Sequence, residues 1–245
     1  HHTPANIPTN FLFLQKNNII TSENKKYLEF VDRYNNGEYN NDVSILICEW
    51  ANGGDLLDYL RKHYKTLSLL EWKCIFFQFL STLAVIQSKY PSFRHNDLKA
   101  NNILMHKITS SKKTYTYYVN NVQFKVPNIG YQIKICDFDF ACIPNLVQNS
   151  KVDAEWTTNI NVCPEQNRYY DVHFFFNTLM KKGFLPDLLC IVPEEIKEFI
   201  DRIIPLKYRE KTKYVHKRGR LLSKKEYIIP FDIITKDPLF SDFLA

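Results

Sequence analysis

Apolar residues recur with a helical period between Glu71 and Lys89, where Trp72, Ile75, Phe76, Phe79, Leu80, Leu83 and Ile86 fall three or four positions apart. That spacing predicts one helix of several turns with a broad apolar face. Two later segments, Thr114–Val119 and Val122–Val126, are rich in β-branched and aromatic residues and flank Asn120-Asn121, which predicts an added β-hairpin. Earlier, the β-branched run from Val43 to Trp50 reads as a strand.

Composition bounds this picture. The chain has 245 residues, 45% of them hydrophobic and 15% aromatic, enough to bury one substantial core and too apolar for disorder. No apolar run approaches the length of a membrane span, no secretory signal stands at the visible start, and His1-His2 reads as a tag remnant. Cysteines at 48, 74, 136, 142, 163 and 190 lie in apolar contexts without a C-x-x-C pair, so free thiols in a reducing, intracellular compartment are expected. The formal net charge of +6 is concentrated late, where 207–225 carries Lys207, Arg209, Lys211, Lys213, Lys217, Arg218, Arg220, Lys224 and Lys225 against Glu210 alone. Such a run reads first as a solvated loop between helices, with contact to an acidic partner as the functional alternative. Nucleic acid is not otherwise indicated.

The chemistry concentrates in Arg94-His95-Asn96-Asp97-Leu98-Lys99-Ala100-Asn101-Asn102 and, after a long insert, Ile135-Cys136-Asp137-Phe138-Asp139-Phe140. An acid, a Lys two residues on and an Asn five residues beyond the acid match the spacing H-R-D-L-K-x-x-N. Phosphoryl transfer asks a protein mainly to position a hydroxyl and offset phosphate charge. Asp97 suits the first task and Lys99 the second. Asn102 and Asp137 offer hard oxygen donors for Mg²⁺, which keeps several waters and needs few protein ligands. His95 has no catalytic task and is expected to pack near Phe138.

These motifs resemble the eukaryotic-type protein kinase superfamily. The similarity runs from about Ile45 to Ala245 with its segments in order. Val43–Trp50 is similar to the last small-lobe strand entering the hinge, which implies nucleotide contacts at Glu49 and Trp50. Ala51–Leu60 resembles the following turn and first helix of the large lobe, and Tyr170–Leu179 its buried anchoring helix. In kinases the Asp at the position of Asp171 accepts hydrogen bonds from the catalytic-loop backbone. Pro230–Phe240 resembles the closing helix, and Cys163-Pro164-Glu165 stands where A-P-E is expected. The resemblance implies an α+β, protein-kinase-like fold: residues 1–50 form an incomplete small β lobe and hinge strand, and 51–245 a mostly helical large lobe with a hairpin inserted near 107–132. It further implies ATP and Mg²⁺ as cofactors and a protein substrate. Lys99 points to Ser/Thr rather than Tyr acceptors. The Asn, Lys, Ile and Tyr richness, Tyr169–Phe175 and the Asp-Phe-Asp turn are most similar to the divergent serine/threonine kinases of large cytoplasmic DNA viruses, the poxvirus virion-kinase type. Host cytoplasm or virion follows as the expected location.

Four departures from that pattern stand out. Asn96 replaces the usual Arg, removing the cation that would receive an activation-segment phosphate. Asp139 replaces the Gly of Asp-Phe-Gly and is expected to be solvated or hydrogen-bonded. The insert near 107–132 replaces a short hairpin connection. The six glycines, at 37, 53, 54, 130, 183 and 219, form no G-x-G-x-x-G. Thr9–Leu14 resembles a small-lobe strand, so the chain is expected to begin partway through that lobe. Lys25, Lys26 and Glu29 read as a solvated helical face. Two alternatives remain open: a small-molecule kinase of the choline or aminoglycoside type, favoured by His-Asn-Asp, and a pseudokinase scaffold.

Overall fold

The computed structural model describes residues 25–39 and 50–245. The chain divides into two compact units between Trp50 and Ala51. In the first, Lys25–Asn35 forms helix α1, on which Glu29 is exposed. The strands read at Thr9–Leu14 and Val43–Trp50, with Cys48 and Glu49, fall outside the described residues except for Trp50 itself.

The second unit mixes helices and short strands. Helices α2 (Leu56–His63) and α3 (Leu69–Lys89) lead to strands β1 (Ile103–Lys107), β2 (Thr114–Val119), β3 (Val122–Pro127) and β4 (Tyr131–Ile135). Helices α4 (Tyr170–Leu179), α5 (Glu194–Ile203) and α6 (Pro230–Lys236) follow. Strands β1 and β4 pair antiparallel, with Ile103 opposite Ile135, and β2 and β3 form a separate hairpin.

Helix α3 begins where a capping box satisfies its first amides. Ser68 Oγ accepts from Glu71 N, and the Glu71 carboxylate accepts from Ser68 N at 2.8 Å. Both sides of the helix are then buried, from Trp72 through Phe76, Phe77, Phe79, Leu80 and Leu83. At 21 residues it is long and apolar enough to cross a membrane, a correction to the reading that no stretch reaches that length. Polar Gln78, Ser81, Thr82 and Gln87 interrupt the run and hid its length. In this protein the apolar surface of α3 packs against the other elements of its unit.

Aromatic rings make most of that packing. Phe79 stacks on Phe175 of α4 with centroids 4.1 Å apart, and Phe76 meets Phe176 edge-on at 4.8 Å. On the opposite side Phe77 contacts Phe124 of the hairpin at 5.0 Å and Phe243 near the C-terminus at 5.5 Å. The inserted hairpin is therefore part of the core wall. Its turn falls at Asn120-Asn121, whose φ values of 47° and 66° suit the left-handed positions of a two-residue hairpin turn.

Two details fix β1 and β4 beside the helices. Gln78, buried on α3, accepts from Ile133 N at 2.9 Å and donates to the Tyr131 carbonyl at 3.2 Å, so one amide serves as an extra strand for β4. Gly53 donates to the Met105 carbonyl at 2.8 Å, and a Cβ there would lie 2.5 Å from that oxygen, so a larger residue would push the chain off β1.

Phe124→Ala empties a fully buried site and should lower unfolding free energy by about 3–5 kcal/mol; a change within about 0.5 kcal/mol in urea titration would show that the hairpin only decorates the surface. His173 gives a pH signature. Its Nε2 lies 2.6 Å from the Tyr208 carbonyl, its Nδ1 is buried without a partner, and burial pushes its pKa from 6.5 down to about 4. The unfolded chain therefore binds the proton first, and this contribution to stability is lost as pH falls from 6.5 to about 4. His173→Phe should flatten that part of the stability–pH curve.

Candidate active site

The loop between α3 and β1 is held by a carboxylate from α4. Asp171, fully buried at the first turn of α4, accepts His95 N at 2.8 Å and Asn96 N at 3.0 Å. Burial pushes the Asp171 pKa up, while His95, Arg94 and the two backbone amides pull it the other way. Both oxygens grip consecutive amides, and Asn96 adopts φ 65°, so the loop turns sharply and presents Asp97 next. The expectation for Asp171 holds.

Asp97 then gathers its neighbours. Lys99 Nζ lies 3.0 Å from Asp97 Oδ2, and Asn102 Nδ2 donates to the same oxygen at 3.1 Å and to the Asp97 carbonyl at 2.8 Å. With its amide nitrogen committed inward, Asn102 keeps its side-chain oxygen as a donor for a cation.

Asp137 is brought to this group through the backbone. Cys136 N donates to the Asn102 carbonyl at 3.0 Å, extending the β1–β4 ladder by one step and placing Asp137 directly after the partner of Asn102. Asp137 takes φ 62°, and its exposed side chain has no hydrogen-bond partner among the described residues. His95 braces the turn: its Nε2 is 2.9 Å from the Cys136 carbonyl and its ring 5.2 Å from Phe138, as expected. Asp139 is ion-paired with Lys151. An amide oxygen and an unpaired carboxylate on adjacent strand ends are the hard donors a divalent cation prefers, so the residues fit such an ion.

Two buried guanidiniums complete the site, and sequence reasoning missed both. Arg220, 8% exposed, donates to Asp97 Oδ1 at 2.5 Å and to the Asn96 carbonyl, and lies over the Phe174 ring at 4.4 Å. Arg94 stacks 3.7 Å from the Tyr170 ring and donates to the carbonyls of Asn161 at 2.6 Å and Glu165 at 3.1 Å. It pins the segment that follows the Asp-Phe-Asp turn.

Comparison with known proteins gives the family. The family model for poxvirus serine/threonine protein kinases matches residues 14–245. The chain belongs to that family. A relative named as a serine/threonine-protein kinase of Acanthamoeba polyphaga mimivirus is 48% identical over 226 residues, covering 90% of this chain and 48% of that protein. Serine/threonine-protein kinase 2 of monkeypox virus is 30% identical over 189 residues, covering 74% of the chain and 38% of that protein, and its fowlpox namesake is 35% identical over 122, covering 48% and 25%. The chain thus spans about half or less of the length of these relatives.

Within this member of the family, Asp97, Lys99 and Asn102 are in direct contact, and the Cys136 N–Asn102 O bond brings Asp137 beside them through the backbone. Glu49 lies outside the described residues, and the Trp50 side chain is 82% exposed. One expectation needs correction. The 207–225 run is not uniformly solvated, because Arg220 leaves it to reach Asp97; nothing local in the run marked one cation for burial. Glu165 is exposed and pairs with exposed Lys224, while the bidentate pair that closes this region is Arg168 with Glu226, at 2.7 Å for its shorter contact. That pair lowers the Glu226 pKa through the Arg168 hydrogen bond.

Arg220→Met should lower stability by about 3 kcal/mol by stripping a buried carboxylate of one partner. Arg220→Lys should not restore it, since one ammonium replaces a fork spanning a carbonyl and a carboxylate. Equal unfolding midpoints for wild type and Arg220→Met would exclude the contact.

Proposed function

We propose that the chain carries the phosphoryl-transfer centre of a serine/threonine protein kinase that moves the terminal phosphate of ATP to a protein hydroxyl. In this reading 51–245 is the kinase large lobe with its inserted hairpin, and 1–50 contributes small-lobe residues and the hinge strand. One observation carries the proposal: Asn102 binds Asp97 through its side chain and Cys136 through its backbone, so the acid and the metal-binding turn share one hydrogen-bonded unit. Membership of the family and the protein-kinase names of the relatives favour this over a small-molecule kinase.

Each residue has a defined task. Asp97 orients the acceptor hydroxyl and takes its proton. Its carboxylate is held by Lys99, Asn102 and Arg220, so it needs little reorganisation when the hydroxyl arrives. Lys99 sits on Asp97 Oδ2 and is the mobile cation: half-exposed, it can move from the carboxylate to the transferring phosphate as charge develops. Asn102 and Asp137 hold the divalent ion, Mg²⁺ in this proposal, which offsets charge on the phosphate oxygens when bound. Glu49 and Trp50 are assigned nucleotide contact by resemblance alone. Location in a reducing compartment, host cytoplasm or virion, belongs to the same proposal and is supported by the free thiols at 74, 136, 142, 163 and 190.

Asp97→Asn in the full-length protein should lower phosphate transfer to a serine substrate by about 10²–10⁴-fold while the far-UV circular dichroism of the fold is kept, and its unfolding midpoint should fall because buried Arg220 loses its counter-charge. Undiminished transfer would remove Asp97 from the chemistry and leave the scaffold reading. Asp137→Asn should instead shift the metal dependence, requiring a higher Mg²⁺ concentration for half-maximal rate; an identical titration would contradict its role as a ligand.

A further inference from the structure

A cleft of about 420 Å³ opens beside Asp97, lined by Lys99, Lys181, Lys217, Arg218 and Arg220, with Asp97 as the one acid on its wall. Three of these cations are already committed. Lys99 and Arg220 pair with Asp97, and Lys181 lies 2.6 Å from the Glu210 carboxylate. Lys217 and Arg218 are exposed, and their charged groups have no acid partner among the described residues. The wall therefore carries two unneutralised positive charges.

The backbone that carries those charges is held in place. Gly219 N donates to the His216 carbonyl at 2.7 Å and His216 N to the Arg220 carbonyl at 2.8 Å, closing a tight turn with Lys217 and Arg218 at its tip. Gly219 takes φ 85°, and its carbonyl accepts Asn177 Nδ2 from α4 at 2.9 Å. Lys181 Nζ donates to the Lys217 carbonyl at 3.0 Å. The base of the turn is thus fixed to α4 on one side and, through Arg220, to Asp97 on the other. The local field is already strong enough to act on a neighbour: burial lowers the His216 pKa, and Lys217, Arg218, Arg220 and Lys181 lower it further. Part-exposed Phe184 adds an apolar patch to the wall, while Phe174 lies buried beneath Arg220.

We infer that this cleft selects acceptor peptides whose serine or threonine is flanked by carboxylate side chains, read by Lys217 and Arg218. The inference rests on the kinase reading and names its substrate class. An acidic peptide satisfies the two free cations, whereas a basic one meets like charge from Lys217 and Arg218. The arrangement rewards acid and rejects base, and both effects act before any chemistry.

Binding tests this separately from catalysis. Fluorescence anisotropy on the full-length protein compares labelled serine peptides flanked by Asp, Ala or Arg. The Asp peptide should bind at least about fivefold more tightly than the Ala peptide, the Arg peptide should bind most weakly, and raised salt should narrow the gap. Lys217→Glu with Arg218→Glu should reverse the order of Asp and Arg peptides, and Lys217→Gln with Arg218→Gln should level it. Equal binding of all three peptides by wild type, or an Asp preference that survives both double variants, would overturn the inference. A parallel assay of phosphate transfer from ATP to the same peptides keeps the two claims apart. Transfer without an acidic preference sinks this inference alone, whereas acidic binding without transfer to any peptide leaves it standing and counts against the kinase reading.

Discussion

One buried carboxylate holds the site together. Asp171 sits fully inside the protein, and both of its oxygens are spent on the consecutive amides of His95 and Asn96. A carboxylate is costly to bury, and charge-assisted bonds of about 1.5–3 kcal/mol each offset much of that penalty. The bonds also decide geometry, because they fix the chain two residues before Asp97 and force the left-handed turn at Asn96. Helix α4 can play this part because Phe175 and Phe176 lock it against α3. The aromatic core and the loop chemistry are therefore one mechanical unit.

Around that anchor, cations do work that backbone bonds cannot. Asp97 is flanked by Lys99 on one oxygen and Arg220 on the other, and the two differ in kind. Arg220 is buried, stacked on Phe174 and forked between a carbonyl and a carboxylate, so it is a fixed strut. Lys99 is a point charge on a flexible stem, with 28% of its side chain exposed. Arg94 performs a second bracing task toward the segment 161–165. With Asn96 donating to the Phe140 carbonyl at 3.1 Å, the position vacated by the usual Arg ties the loop to the Asp-Phe-Asp turn by a neutral hydrogen bond.

Local patterns made much of this legible. The period of Trp72 to Ile86 located α3 to within two residues of its start, because an apolar stripe is a property of residues close in the chain. The hairpin was readable for the same reason: Asn120-Asn121 tolerate the positive φ that the turn demands. Asp97, Lys99 and Asn102 sit within six positions of one another, and their contact is a local event. Arg220 was illegible because its contact spans 123 residues and it stands in a run of many basic residues, so nothing in its own segment set it apart. The place of the hairpin in the core was hidden likewise, since Phe124 meets Phe77 only after the chain has folded back. The Arg168–Glu226 pair was illegible as well, because its partners lie 58 residues apart.

The central claim is that one hydrogen-bonded unit carries both the acid and the metal ligands. Crystals of the full-length protein grown with Mn²⁺ and a non-hydrolysable ATP analogue test it directly, because the anomalous signal of the metal locates it without assumption. The expected result is a peak within roughly 2.0–2.6 Å of the Asn102 side-chain oxygen and an Asp137 carboxylate oxygen, with Asp97 facing the terminal phosphate. A nucleotide-bound metal coordinated by neither residue would contradict the account.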